Sequence, residues 1–153
     1  MSLAQRNEQV EVCLSRSRST TVKAYSAQVE SVRSGMSEGV GIRVIVNGQQ
    51  GFATAGSLDY EVLAQVIEEA RGNLQFAESD PDQGLAEPDG IKSPNLDLVD
   101  SAVLKMSDQE KSSIAIELEQ RCLSADRRVS SVRSAAWSDG WGEFALASTN
   151  GIS

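Results

Sequence analysis

The chain has 153 residues, 40% of them hydrophobic, and a formal net charge of −8. That length supports one α+β domain over residues 1–153 with a real core, while the negative charge argues against direct nucleic-acid binding and against an anionic membrane surface, both held largely by Lys and Arg. No apolar run is long enough to span a membrane, no secretory h-region lies in residues 1–7, and Cys13 and Cys122 are isolated, so the sequence reads as cytoplasmic and reduced.

The first strand signal is Val10-Glu11-Val12-Cys13-Leu14, an apolar-polar alternation of period two. Ser15-Arg16-Ser17-Arg18-Ser19-Thr20 follows, and its polar, basic character reads as a solvated hairpin connection in preference to a phosphate or acidic-peptide contact. Thr21–Ala24 and Gln28–Val32 predict two short strands joined by a tight turn at Tyr25-Ser26-Ala27, because the apolar parity changes between Ala24 and Tyr25. Six of the seven residues from Val40 to Val46 are Gly or β-branched apolar, the composition of a mostly buried strand. Asn47-Gly48 then supplies the two residues that most readily take positive φ, so a type I′ turn returns Gln49–Thr54 antiparallel to that strand.

A helix over Ser57–Arg71 follows from Ser57 as N-cap, carboxylates in the first turn, an apolar face of Val62, Leu63, Val66, Ile67 and Ala70, and a Gly72-Asn73 stop. Residues 78–94 hold all three prolines among Asp and Gly. Asp80-Pro81-Asp82-Gln83-Gly84 lacks the alternating oxygen ligands and closing Glu of an EF-hand, so the stretch reads as an exposed connecting loop. Ser107-Asp108-Gln109-Glu110 is a capping box opening a second helix to Ala125, with Ile114, Ala115, Leu118, Cys122 and Ala125 on one face and Cys122 as a small core residue. Val129–Ser138 and Trp141–Ser148 flank Asp139-Gly140, another hairpin signal, which makes Trp137 and Trp141 a cross-strand pair in preference to a ligand-stacking one. The expected fold is α+β: a mostly antiparallel sheet of several hairpins with two amphipathic helices packed on one face.

The chain contains no histidine. Ser-His and Cys-His nucleophile pairs are therefore impossible within it, and two scattered cysteines do not make a zinc site. No residue stands out as catalytic, cofactor-binding or metal-ligating.

The succession Ser15–Thr20, Gln28-Val29-Glu30-Ser31-Val32, Gly39–Val44, Gly51-Phe52-Ala53, Leu96-Asp97-Leu98 and the closing Leu146-Ala147-Ser148-Thr149-Asn150-Gly151 resembles the N-terminal domain of the TldD/PmbA family, often labelled "modulator of DNA gyrase". The loop leading into Asn95-Leu96-Asp97-Leu98 and the capped helix after it are similar to the PmbA (TldE) branch. The sequence departs from the family in two places: only nine residues precede Val10 where a helix is usual, and Ser26-Ala27 stands where an Asn-Gly turn is common. The resemblance implies a cytosolic metallopeptidase assembly that cuts flexible peptides, with zinc in a TldD-like partner. The family's His-Glu-x-x-x-His helix belongs to that branch and lies beyond this stretch, so no metal residue carries over. This chain is then expected to be a non-catalytic scaffold that meets a TldD-like subunit, or itself, and peptide substrates through exposed sheet edges and the surface of the hairpin over Val40–Thr54, or, where the Glu78–Pro94 loop covers those edges, that meets the partner through helical surfaces. A stand-alone protein-binding adaptor is the alternative.

Overall fold

Four strands form one antiparallel sheet in the order β3-β2-β1-β4, with β1 at Gln9–Tyr25, β2 at Gln28–Val46, β3 at Gln49–Ala55 and β4 at Ala135–Ser148. Among the described residues, three α-helices accompany it: α1 at Tyr60–Asn73, the short α2 at Ser101–Lys105 and α3 at Asp108–Ala125. The structure, a computed structural model, describes residues 3–91 and 94–153. It confirms the α+β class and the antiparallel sheet with accompanying helices.

The chain divides into two compact units. The first comprises Met1–Arg16, Ser37–Pro94 and Gly142–Ser153. Its core joins Val10, Val40, Ile42, Val44 and Ala53 of the sheet to Val66, Ile67 and Ala70 of α1. The second comprises Ser17–Met36 and Asn95–Trp141, and its smaller core packs Val22 and Ala24 against Ala115 of α3, with Ile116 and Trp137 alongside.

The organising hairpin forms as expected. Val46 pairs with Gln49, and Asn47 and Gly48 take φ of 50° and 77°, the two positive values that a type I′ loop requires. The tight turn after Tyr25 also forms, with φ of 52° at Ser26 and 58° at Ala27, but it joins two long strands. Ser15–Thr20 is not a hairpin connection. It lies inside β1, whose hydrogen bonds run to neighbours on both sides, so exposed polar side chains do not interrupt the ladder.

The Asp139-Gly140 hairpin is likewise absent, because β4 runs straight through that dipeptide, and Val129–Ser134 lies outside any strand. Gly140 is needed for closeness to its neighbour: a Cβ there would stand 2.9 Å from the Arg18 carbonyl oxygen. Trp137 and Trp141 therefore share one strand and make no cross-strand pair.

Both helices differ from expectation in detail. α1 starts two residues late with Asp59 as N-cap, since the Ser57 hydroxyl accepts from the Asp59 N–H and reaches no N–H of the first turn. Gly72-Asn73 does not stop the helix, which continues as a 3-10 turn over Leu74–Phe76. α3 has the predicted capping box, yet its buried positions are Lys111, Ala115 and Glu119, while Leu118 and Cys122 are exposed. Asp100 caps α2, a helix that the sequence reading missed.

Candidate functional site

Two charged side chains are buried on α3 because each meets a partner that consumes it. Glu119 is 2% exposed, and its two carboxylate oxygens accept from the Ser26 and Ala27 N–H groups, each at 2.8 Å. It clamps the turn that lacks both Asn and Gly. Lys111 pairs with Asp139 at 2.9 Å, and Trp137 Nε1 donates to the same carboxylate at 2.8 Å. Burial alone pushes the Asp139 carboxyl up, but the Lys111 and Trp137 hydrogen bonds and the Lys111 and Arg18 charges outweigh it and hold it below its ordinary value. The hydrogen bonds of Glu119 and the ion pair of Lys111 with Asp139 hold chain segments together, and both clusters read as structural devices.

In the first unit, Arg71 of α1 donates to both oxygens of Glu8, at 2.6 and 2.7 Å, to the Leu3 carbonyl at 2.7 Å, and pairs with Glu68. This fork fixes the segment before β1. The Arg71 hydrogen bonds hold the Glu8 carboxyl below its ordinary value against the opposing effect of burial. Glu8→Gln is therefore expected to lower stability by about 1–3 kcal/mol at neutral pH. A depressed folded pKa contributes stability that is complete above the ordinary carboxylate range and lost as pH falls through the lower folded value. Thermal melts of both proteins at neutral pH and at about pH 3 check this; a gap that survives acidification would rule the account out.

Both cysteines are free, Cys13 half-buried and Cys122 exposed. Burial and the Glu11 charge push Cys13 up despite the Arg43 charge, which disfavours the thiolate. Cys122 is exposed on α3, contrary to its expected core role. Among the described residues no group of three or more Cys, Asp or Glu has a metal-holding arrangement, and no helix is long and apolar enough to cross a membrane.

The two sheet edges differ. The β3 edge is covered in part, in line with the reading in which the 78–94 loop lies over the sheet edge. Asn73 Nδ2 donates to the Phe52 carbonyl at 2.9 Å, and the 78–94 loop closes over the turn through Asp80 N–H to Gly48 O and Ser79 Oγ to Asn47 O. The loop is thus more than an exposed connection, and Leu85 within it is buried. The β4 edge has no strand beyond it among the described residues. Near its end, the Thr149 N–H donates inward to Val10 O while the Ser148 N–H donates to Ile152 O. Even-numbered residues of β4 therefore aim their main-chain groups outward.

Comparison with known proteins agrees with this architecture. Residues 10–74 match PmbA/TldA metallopeptidase domain 1, and residues 102–153 match the PmbA/TldA metallopeptidase central domain. The chain belongs to the PmbA/TldD family. Metalloprotease PmbA of Escherichia coli O157:H7 is 24% identical over 149 residues, covering 96% of this chain and 33% of the relative. A metalloprotease PmbA homolog of Haemophilus influenzae is 24% identical over 144 residues, covering 93% and 32%. Among solved structures, a Thermotoga maritima protein described as a modulator of a DNA gyrase superposes with a TM-score of 0.83 at 20% identity, over 99% of this chain and 34% of that one. TldE from Thermococcus kodakarensis gives 0.76 at 18% identity, over 94% and 32%. The chain thus spans about a third of the curated relatives' length. It corresponds to the N-terminal part of a PmbA/TldD protein, and the PmbA and TldE names match the branch that its loop resembles.

Proposed function

We propose that this chain is a non-catalytic scaffold within a PmbA/TldD metallopeptidase, with residues 1–153 acting as one assembly domain. The reaction's metal, zinc, is held by a TldD-like partner subunit, as the resemblance to the PmbA branch implies; this stretch itself contains no histidine. A domain without catalytic groups contributes by binding. The β4 edge, beyond which no strand lies among the described residues, carries this reading: its outward N–H and C=O groups can pair with an extended strand from a partner or a flexible peptide, and such main-chain bonds carry little sequence preference. Tolerance of varied peptides follows.

The test uses the full-length protein with a TldD-like chain from the same source. Phe144 is exposed in β4 and has an outward main chain, so Phe144→Pro removes one outward donor and leaves the inner ladder intact. Co-purification and zinc-dependent peptide cleavage should both fall in Phe144→Pro and hold in Phe144→Thr. Unchanged assembly and turnover in a folded Phe144→Pro variant would reject the edge.

A further inference from the structure

The three buried positions of α3, Lys111, Ala115 and Glu119, recur at every fourth residue and so form one stripe along the helix. Each meets a different part of the second unit. Lys111 pairs with the Asp139 carboxylate of β4, Ala115 packs with Val22 and Ala24 of β1, and Glu119 accepts from the Ser26 and Ala27 N–H groups of the turn. Both ends of the stripe are ionic and only its middle is apolar. Detachment of α3 therefore returns charges to water and exposes little apolar surface, which makes it a small opening beside unfolding of the whole chain.

The hairpin over Ser17–Met36 depends on that stripe. Its buried positions are Thr20, Val22 and Ala24, all on β1, and none lies on the Gln28–Met36 part of β2. A two-stranded hairpin without a packed face is marginal in water, and this one also holds two non-glycine turn residues at positive φ. α3 supplies both the apolar partner of its β1 face and the acceptors for its turn. The first unit has a core of its own, in which Val66, Ile67 and Ala70 of α1 meet Ile42, Val44 and Ala53, and among the described residues no part of α3 enters it. That core has no need of α3.

We infer that α3 is a detachable latch on the Ser17–Met36 hairpin: the hairpin is ordered while α3 is seated and melts when α3 is withdrawn, the two acting as one two-state element. α3 lies in the stretch that matches the central domain, and the hairpin in the stretch that matches domain 1. A change that unseats the one is thereby carried to the other through Ala115 and Glu119. This goes beyond the scaffold reading and does not depend on which sheet edge meets a partner.

Native-state hydrogen exchange on the full-length protein tests the latch with every segment that packs on the second unit in place. As urea is raised, amides of Ser17–Met36 and Asp108–Ala125 should converge on one opening isotherm, below that of Val40–Ala55 and Tyr60–Asn73. Ala115→Arg sets a long cationic side chain against Val22 and Ala24 and unseats the helix. It should speed exchange in the hairpin at least about a hundredfold and leave Val40–Ala55 within about threefold of the parent. Should Ala115→Arg fail to fold, the isotherms of the parent decide alone. Separate isotherms for the hairpin and α3 would overturn the inference, as would hairpin exchange in a folded Ala115→Arg protein no faster than in the parent. One isotherm shared by all four segments would overturn it equally, because the chain would then open as a single unit with no latch.

Discussion

Replacing Gly51 by alanine is expected to lower the thermal midpoint by about 10 °C, corresponding to about 3 kcal/mol. Gly51 is a buried residue of β3, and a Cβ built on it would run into the Ala70 carbonyl oxygen, with the Ala70 carbonyl carbon and the Leu74 nitrogen each 3.0 Å away. All three atoms belong to backbone, so no side chain can swing aside. α1 must lift from the strand, and the shift spreads to Val66, Ile67 and Ala70, which join the helix to the sheet. Gly72 provides the control, because a Cβ there meets nothing within 4 Å. Gly72→Ala should be neutral or slightly stabilising, since alanine is the better helix former by about 1 kcal/mol. Differential scanning calorimetry of the two variants decides the point; Gly51→Ala melting within a degree or two of the parent would remove the close-approach account.

The parts legible in the sequence were those set by local chemistry. Asn47-Gly48 needs no tertiary partner to favour a type I′ turn, and Ser107 with Glu110 closes its capping box within four residues. Asp139-Gly140 carries the same local signal as Asn47-Gly48 and misleads, because Asp139 is committed to Lys111 and Trp137 and Gly140 to the Arg18 carbonyl. The face of α3 was misread for a related reason. Hydrophobic periodicity selects Ile114, Leu118 and Cys122, whereas Lys111 and Glu119 become the inward residues through partners 28 and about 92 positions away. No pattern within the helix reports such partners. The candidate surfaces were half legible: sheet edges and a 78–94 loop able to cover them can both be read from the chain, but which part of the β3 edge is covered depends on Asn73 and the 78–83 stretch meeting it in space. One clue did lie in the sequence. A tight turn built from Ser26-Ala27 without Asn or Gly requires support from elsewhere.

That support is Glu119, and Glu119→Leu is expected to destabilise the chain by about 3–5 kcal/mol. Both turn residues hold φ in the left-handed region, where non-glycine residues are disfavoured. Their N–H groups point inward, and the 2%-exposed carboxylate accepts both. Leucine fills much of the same volume but leaves two donors without an acceptor, at about 1–3 kcal/mol each. Glu119→Gln should fall between, since its one oxygen serves one N–H while its amide confronts the other. Converting the turn to Ser26→Asn with Ala27→Gly relieves backbone strain and supplies no acceptor. It should therefore stabilise the parent by about 1 kcal/mol and return only about that much to Glu119→Leu. Urea titrations of the parent, Glu119→Leu and the Asn-Gly version of each separate the two contributions: complete rescue by Asn-Gly would mean that the clamp acts on strain alone. Hydrogen exchange gives a local reading, because the Ser26 and Ala27 amides should be protected in the parent and exchange quickly once Glu119 is leucine. Slow exchange there in a folded Glu119→Leu variant would show that another group satisfies those amides and that the clamp is dispensable.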